Sequence, residues 1–265
     1  MTVDRHDGFG FSAGPRPGLE WLGAEVESLG YDELWANDTS RGSGLAALAA
    51  CAGGARRIEL CVGVIGLSGH EPPAIADEVG ALRLPHERLV LGVGSGSSRS
   101  LALVDEAVAE LRRRLPDVRL AVAAVGPRML HLAGRVADVV LLNWAGPFRV
   151  AESREHIEAG AAEAGREPPR VAAYVRVAVG PGAEERLAGE IARYTRSGAS
   201  YARQIEEQGP GLIGVACEDP ADLGAALAPY RVALDSCVVR ALPAGDDVDG
   251  WLAVARAAAP RSLDA

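Results

Sequence analysis

The sequence predicts a (β/α)8 TIM barrel, formed as a single domain by the whole chain, 1–265, with an extra helical segment between strands seven and eight. Three observations carry this reading. Strand-like apolar runs alternate with amphipathic helical stretches from end to end. Several of those runs are apolar on both faces, as strands of a parallel sheet covered by helices must be. The length of 265 residues suits one such barrel, for which about 250 is typical. An open doubly wound sheet is the alternative for the same alternation, but eight units close into a ring more naturally than they stay open.

In order, Gly8–Gly14 reads as a weak strand ending in turn residues. Pro17–Gly30 reads as a helix, with Leu19, Leu22, Val26 and Leu29 at helical spacing and Gly30 as its stop. Tyr31–Ala36 is the second predicted strand, and Leu45–Gly53 an Ala/Leu helix. Arg57–Leu67 is strongly β, with Ile58, Leu60, Val62 and Val64 on alternate positions. Pro72–Leu84 reads as a helix entered through proline. Arg88–Val93 is the fourth strand, followed by the turn Gly94-Ser95-Gly96 and a helix over Leu101–Leu115 that Pro116 ends. Val118–Val125 and Pro127–Val136 make the fifth unit. The nearly all-apolar Asp138–Trp144 and a helix from Phe148 to Gly165 make the sixth. Arg170–Val179 is the seventh strand. The rhythm then breaks: Ala183–Gly198, Ala199–Gly209 and Asp219–Tyr230 all look helical, with the apolar Leu212–Ala216 between the last two. Val232–Leu242 is the eighth strand, and Val248–Ala258 the closing helix.

Composition removes several functions. All 27 basic residues are arginine, so chemistries that need a lysine amine, such as a pyridoxal-phosphate Schiff base or a Walker A loop, are excluded. Bound phosphate must be held by arginine, hydroxyls or backbone N–H groups. A net charge of −9 argues against nucleic acid or an anionic membrane as partner. The four cysteines, Cys51, Cys61, Cys217 and Cys237, form no C-x-x-C pair and have no histidine at metal-ligand spacing, so buried reduced thiols and no metal are expected. The first ten residues lack the apolar core of a signal peptide, and no run approaches the ~20 apolar residues of a membrane span. A soluble, cytoplasmic protein is expected.

In a barrel of this kind function sits on the loops after the strands. Both asparagines of the chain, Asn37 and Asn143, fall there. Asn37 and Asp38 could fix a ligand, or Asp38 could cap the next helix. Gly92-Val93-Gly94-Ser95-Gly96 lacks dinucleotide spacing, but it offers backbone N–H groups and the hydroxyls of Ser95, Ser97 and Ser98; a tight turn is the plainer reading. Gly126-Pro127-Arg128-Met129 opens a helix with free N–H groups and an arginine, an anion site without lysine or else an ordinary helix start. Of the five histidines only His70 lies near a strand end. No Gly-x-Ser-x-Gly elbow is present.

The segments LGYDELWANDTS (29–40), ARRIELCVGVIGLSGHEPPAIADEV (55–79), RLVLGVGSG (88–96) and VRLAVAAVGPRMLHLAGRVADVVLLNW (118–144) stand in the order found in one family. Over roughly residues 19–180 the chain resembles the bacterial luciferase-like family, and within it the deazaflavin-dependent oxidoreductases. The resemblance implies a barrel that carries coenzyme F-420, or alternatively FMN, across its C-terminal face, and a homodimer. The lysine-free, Ala/Arg/Gly-rich composition leans the same way, toward a GC-rich genome of the kind that makes the deazaflavin. By resemblance, Asp38 contacts the deazaflavin, and Gly63-Val64 forms a non-prolyl cis bulge behind the ring. Gly66 stands where some relatives have threonine. Ser95, Gly96, Ser97 and Ser100 line the cofactor, and Val125, Gly126, Arg128 and Met129 cradle its phosphate.

There are departures. Thr39 and Ser97 stand where the family's sugar-phosphate dehydrogenases carry a histidine acid and a glutamate base, and the substrate-phosphate lysines are missing, so that activity is rejected. The segment after strand four is short. The expected function is hydride transfer from reduced coenzyme F-420 to an unsaturated small molecule, with Asn37, Thr39, His70 and Asn143 orienting it. The rivals are an FMN-dependent monooxygenase and a non-catalytic barrel that serves as a binding or structural subunit.

Overall fold

A computed structural model describes residues 5–12, 16–40, 42–209 and 213–260. Its strands are β1 (His6–Ser12), β2 (Glu33–Asn37), β3 (Glu59–Gly66), β4 (Leu89–Gly94), β5 (Arg119–Ala123), β6 (Val139–Asn143), β7 (Arg170–Val179), β8 (Val215–Cys217) and β9 (Ser236–Ala241). The helices are α1 (Leu19–Ser28), α2 (Gly44–Ala52), α3 (Pro72–Ala81), α4 (Leu101–Arg114), α5 (Pro127–Val136), α6 (Pro147–Glu163), α7 (Ala183–Ser197), α8 (Ala199–Gln208), α9 (Leu223–Ala233) and α10 (Val248–Ala257). Strands β1 to β7 pair in sequence order and in parallel, and β9 joins β7 to β1, so eight strands close a barrel. None of the described helices is long and apolar enough to cross a membrane.

The helices begin where the sequence supplies a start. Proline opens α3, α5 and α6, whose first N–H has no partner inside the helix in any case. The side chains of Ser43, Ser100 and Asp247 accept the early N–H groups of α2, α4 and α10. Apolar stripes such as Leu22 and Val26 of α1, Leu45 and Leu48 of α2, and Trp251 of α10 are buried between the helices and the outer face of the barrel. Each such side chain contributes about 1.5–3 kcal/mol. Helices α5 and α6 meet at Gly134 and Gly160, where an added Cβ would collide with the carbonyl oxygens of Ile157 and His131.

Two differences from the expected elements have physical causes. The last barrel strand starts at Ser236 and not at Val232, because α9 runs on to Ala233; Val232 is an apolar residue on its solvent side, 67% exposed. The apolar stretch before α9 is a ninth strand, β8, which continues the sheet beside the end of β7, with Val177 opposite Val215 and Val179 opposite Cys217. Leu212, which was grouped with that stretch, lies outside the described residues, as do Ala13 and Gly14 of the first predicted strand. The extra helical segment between the seventh and eighth barrel strands is present as α7 and α8.

Candidate functional site at the barrel mouth

Alternation along the strands stacks the barrel interior in layers. The lowest layer is charged. Glu33, fully buried, accepts from Trp35 Nε1 at 2.6 Å and Ser236 Oγ at 2.5 Å, and pairs with Arg170 at 3.2 Å. Arg170 and Arg119 also hold Glu59, at 2.7 and 2.5 Å. Burial raises the Glu59 carboxyl, but its hydrogen bonds and charge pairing with Arg170, then Arg119, outweigh that and keep it below the usual carboxylate range. The middle layer is apolar: Trp35, Cys61, Val90, Ala121, Leu141, Tyr174 and Val238. These two layers seal the barrel from below, so chemistry is confined to the top.

The top layer is polar again. Asn37, Asn143, Arg176, Arg240 and Ser12 stand there, each two residues beyond an inward-facing position of its strand. Arg176 is 2% exposed. It donates to Asn143 Oδ1, and its guanidinium carbon lies 4.2 Å from the Trp144 ring centroid and 5.0 Å from that of Tyr194. Arg240 donates to Ser12 Oγ at 2.7 Å and to the Ala241 carbonyl at 3.0 Å. Its stem can lie over β1 because Gly10 has no side chain.

Helices α7 and α8 cover part of this mouth. Trp144, Tyr194 and Tyr201 stack edge to face, with centroids 5.1 and 5.2 Å apart. Gln204 and Gln208 of α8 donate to the Trp144 carbonyl at 3.0 and 2.8 Å, and Gln204 also to that of Asn143 at 2.9 Å. They hold a turn in which Trp144 takes a left-handed backbone conformation, φ +56°, uncommon for a bulky residue. Beside this cover a pocket of about 1120 Å³ opens over β1, β2 and β9, lined among others by Ser12, Trp21, Asn37, Thr39, Tyr194 and Arg240.

The residues expected from sequence fall into four places. Asn37 and Thr39 line the pocket, and Asn37 Oδ1 is buried without a partner among the described residues. Asp38 Oδ1 accepts the Gly44 N–H at 2.8 Å and so braces the start of α2; burial raises its carboxyl. Beside β3 and β4, the peptide between Gly63 and Val64 is cis, and the β3–β4 register shifts between Val62 and Ile65. Tyr174 donates to the Gly63 carbonyl at 3.0 Å. The His70 ring meets the Gly66 carbonyl at 3.2 Å, and Ser68 Oγ accepts the Ser97 N–H at 3.3 Å. Ser95 and Gly96 make the tight turn there, closed by Ser98 Oγ on the Ser95 carbonyl at 2.7 Å. Ser100 Oγ accepts the Leu103 N–H at 3.1 Å as the cap of α4. Further round, Val125 and Gly126 lead into α5, whose N-terminus no side chain caps; Arg128 is exposed there and Met129 half-buried. Asn143 belongs to the arginine–tyrosine cluster and also donates to Tyr201 Oη at 3.3 Å.

Sequence reasoning missed Arg176, Arg240 and Tyr194. A signal for the first two exists: each is a cation at an inward position toward the C-terminal end of a largely apolar strand. Tyr194 sits on α7, and nothing in its local sequence marks it.

Across the ends of β3, β4 and β5 lies a shelf almost free of side chains. At Gly94 a Cβ would stand 3.1 Å from Val64 Cγ2 and 3.5 Å from Ala123 Cβ. At Gly66 its nearest neighbour would be the Gly96 Cα at 3.8 Å, and at Gly126 it would meet nothing within 4 Å. These glycines would leave room above them for a planar ring, and the N-terminus of α5, which no side chain caps, would offer its N–H groups to a phosphate.

A family model described as luciferase-like monooxygenase matches residues 18–105 and 99–247. A 5,10-methylenetetrahydromethanopterin reductase of Methanolobus tindarius is 28% identical over an alignment of 187 positions that covers 56% of this chain and 57% of that protein. The corresponding reductase of Archaeoglobus fulgidus is 26% identical over an alignment of 185 positions that covers 56% of this chain and 55% of its own. The chain thus spans about half the length of the curated relatives it matches. Among solved structures, an F420-dependent secondary alcohol dehydrogenase in complex with an F420-acetone adduct superposes with a TM-score of 0.75 at 14% identity, covering 96% of this chain and 99% of that one. The oxygenating constituent of a Pseudomonas putida 3,6-diketocamphane monooxygenase, in complex with FMN, superposes at 0.70 and 15% identity, covering 96% of each chain. At these identities the superpositions establish the fold.

Proposed function

The chain belongs to the luciferase-like monooxygenase family, and from that premise we propose an oxidoreductase that holds coenzyme F-420 across the barrel mouth and reduces an unsaturated small molecule. The observation that carries this is the shelf formed by Val64, Gly66, Gly94 and Gly126, a cradle that side chains would fill. Sequence relatives named as reductases, at 28 and 26% identity, favour reduction over oxygenation, and the superposed alcohol dehydrogenase with its F420-acetone adduct supports the deazaflavin.

In this reading Gly63 and Val64 back the ring, with Gly66, Ser95, Gly96 and Ser97 along its edge. Val125, Gly126, Arg128 and Met129 hold the phosphate through the first turn of α5 and one guanidinium. Asp38 and Ser100, both engaged in bracing helices, fix the loops that border the ring. When bound in its reduced form the cofactor supplies a hydride. Asn37 and Thr39 orient the substrate in the pocket, and Asn143 acts by holding Arg176. His70 stands beside the ring's edge at Gly66. Tyr194 Oη holds the proton for the atom that receives the electron pair, the role neither Thr39 nor Ser97 can fill. A homodimer is part of the proposal, and light scattering on a sizing column checks it.

The test is titration of the purified protein with oxidised F-420 and with FMN. Tighter binding of F-420 is expected; equal or tighter binding of FMN would move the reading to an FMN-dependent monooxygenase. Binding of neither would leave a non-catalytic barrel. Gly126→Val places a side chain on the open shelf with a backbone conformation, φ −99° and ψ 160°, that any residue adopts. It should weaken F-420 binding by about tenfold or more, as a lost charge-assisted contact would, while the melting temperature stays near wild type.

A further inference from the structure

The mouth pocket has a charge that the reductase reading leaves unexplained. Arg176 of β7 and Arg240 of β9 are register partners on adjacent strands, so both guanidinium groups occupy the top layer of the barrel. Among the described residues, the side-chain hydrogen bonds of Arg176 go to Asn143 and the Tyr174 carbonyl, and those of Arg240 to Ser12 and the Ala241 carbonyl. None of these partners is a carboxylate. Among the described residues, the other arginines that line the pocket are matched: Arg16 pairs with Asp246 at 3.3 Å and Arg193 with Glu190 at 2.6 Å. Asp247 is occupied by the Gly250 N–H at 2.7 Å. Arg240, with two of its five N–H groups used, is thus the described pocket-lining arginine that no carboxylate contacts directly; Glu190, already paired with Arg193, acts on it only at longer range. Burial, and then the like charge of Arg176, lower its pKa. Two adjacent cations in a poorly solvated mouth are costly unless an anion joins them.

The rest of the pocket narrows the choice of anion. A planar guanidinium fork matches a carboxylate through two parallel hydrogen bonds. A dianion such as a phosphate monoester would meet the acidic rim of Asp246, Asp247 and Asp249. Trp21 and Tyr194 give the pocket aromatic walls, and its volume of about 1120 Å³ leaves room for a sizeable apolar body. Asn37 lies on β2, on the other side of β1 from Arg240, and its side-chain amide Nδ2 is a neutral donor for a carboxylate oxygen.

We propose that the pocket takes an unsaturated monocarboxylate, its carboxylate held by Arg240 with Ser12 and Asn37 alongside and its apolar body between Trp21 and Tyr194. The reduction of such a compound rests on the reductase reading, but its binding does not.

The experiment is calorimetric titration of the full-length protein, without cofactor, using trans-cinnamate, the uncharged isostere cinnamamide, and inorganic phosphate as competitor. Cinnamate should bind about tenfold or more tightly than the amide, the worth of a charge-assisted pair, and phosphate should not displace it. Arg240→Gln should bring cinnamate down to the affinity of the amide while leaving F-420 binding unchanged. Should that variant fail to fold, the comparison of acid with amide in the wild-type protein still decides the matter. Equal affinity for acid and amide overturns the proposal, as does full cinnamate affinity in a folded Arg240→Gln protein. Displacement by phosphate overturns the choice of carboxylate. Loss of F-420 binding with retained acid–amide discrimination removes the reductase reading alone; the opposite result removes the carboxylate alone.

Discussion

At the scale of single residues the barrel mouth is governed by arginine, and Tyr194 reports on it. Burial pushes its phenol up and Glu190 adds to that, but Arg176, Arg193 and Arg240 prevail and hold it below the ordinary phenol range. The groups that face it come from β7 (Arg176), β9 (Arg240), α7 (Glu190 and Arg193), α8 (Tyr201) and the end of β6 (Trp144). Tyr31 and Tyr174, by contrast, are raised by burial, and burial pushes Tyr230 up to about 12. A spectrophotometric titration at alkaline pH should therefore show an early tyrosine component that Tyr194→Phe abolishes. An unchanged titration curve in that variant would assign the component to another residue. The same scale shows why part of the site was hidden in the sequence. Asn37, Thr39 and Asn143 were legible as candidates because polar residues at or just past the end of an apolar strand stand out. Arg176 and Arg240 lie inside strands, and only the inward alternation Arg170, Ala172, Tyr174, Arg176 along β7 reveals where they point.

At the scale of elements, the strand–helix units were legible because each long run has one clear period. What escaped was short or ambiguous. β8 has three residues, too few to show alternation, and α9 ends in an apolar turn that merges with the strand after it. The pair α7–α8 was legible as helix, but its task was not, since that depends on where it docks. Its hold on the barrel is polar: Gln204 and Gln208 of α8 carry the carbonyls of the β6–α6 turn. Gln204→Ala leaves the Asn143 carbonyl to find another donor and should cost about 1–3 kcal/mol. Urea unfolding measures the loss. Hydrogen exchange should rise first in α7 and α8, and a uniform rise over all helices would show that this pair has no independent hold.

For the whole molecule, the charged floor of the barrel sets its response to acid. The folded state holds the Glu59 carboxyl below the usual range, so the associated stability is complete above that range and is lost as pH falls through the lowered value. Melting temperatures measured between neutral and acidic pH should fall. In Glu59→Gln the fall should be shallower and start from a lower neutral value, because Arg119 and Arg170 lose their shared counter-charge. Parallel curves for the two proteins would rule Glu59 out as the group responsible. The closed ring itself was legible in length and alternation together, for eight apolar strands on one chain of this size have few other ways to bury both faces.

The β7–β8 pairing has a consequence for how such a molecule can change. The chain leaves β7 at Gly180, runs through α7 and α8, and returns at Val215 to lie beside Val177 of the strand it left, while the Gly180 N–H donates to the Cys217 carbonyl at 2.9 Å. Departure and return are clasped together outside the ring. What lies between them takes no part in the ladder that closes the ring, so an exchange of this segment should leave the register of the barrel strands in place. The cover over the mouth is in this sense a cassette, and a graft of another loop between residues 180 and 215 would recast the pocket and take Tyr194 away from Arg176 while the strand pairing of Arg176 with Arg240 remains.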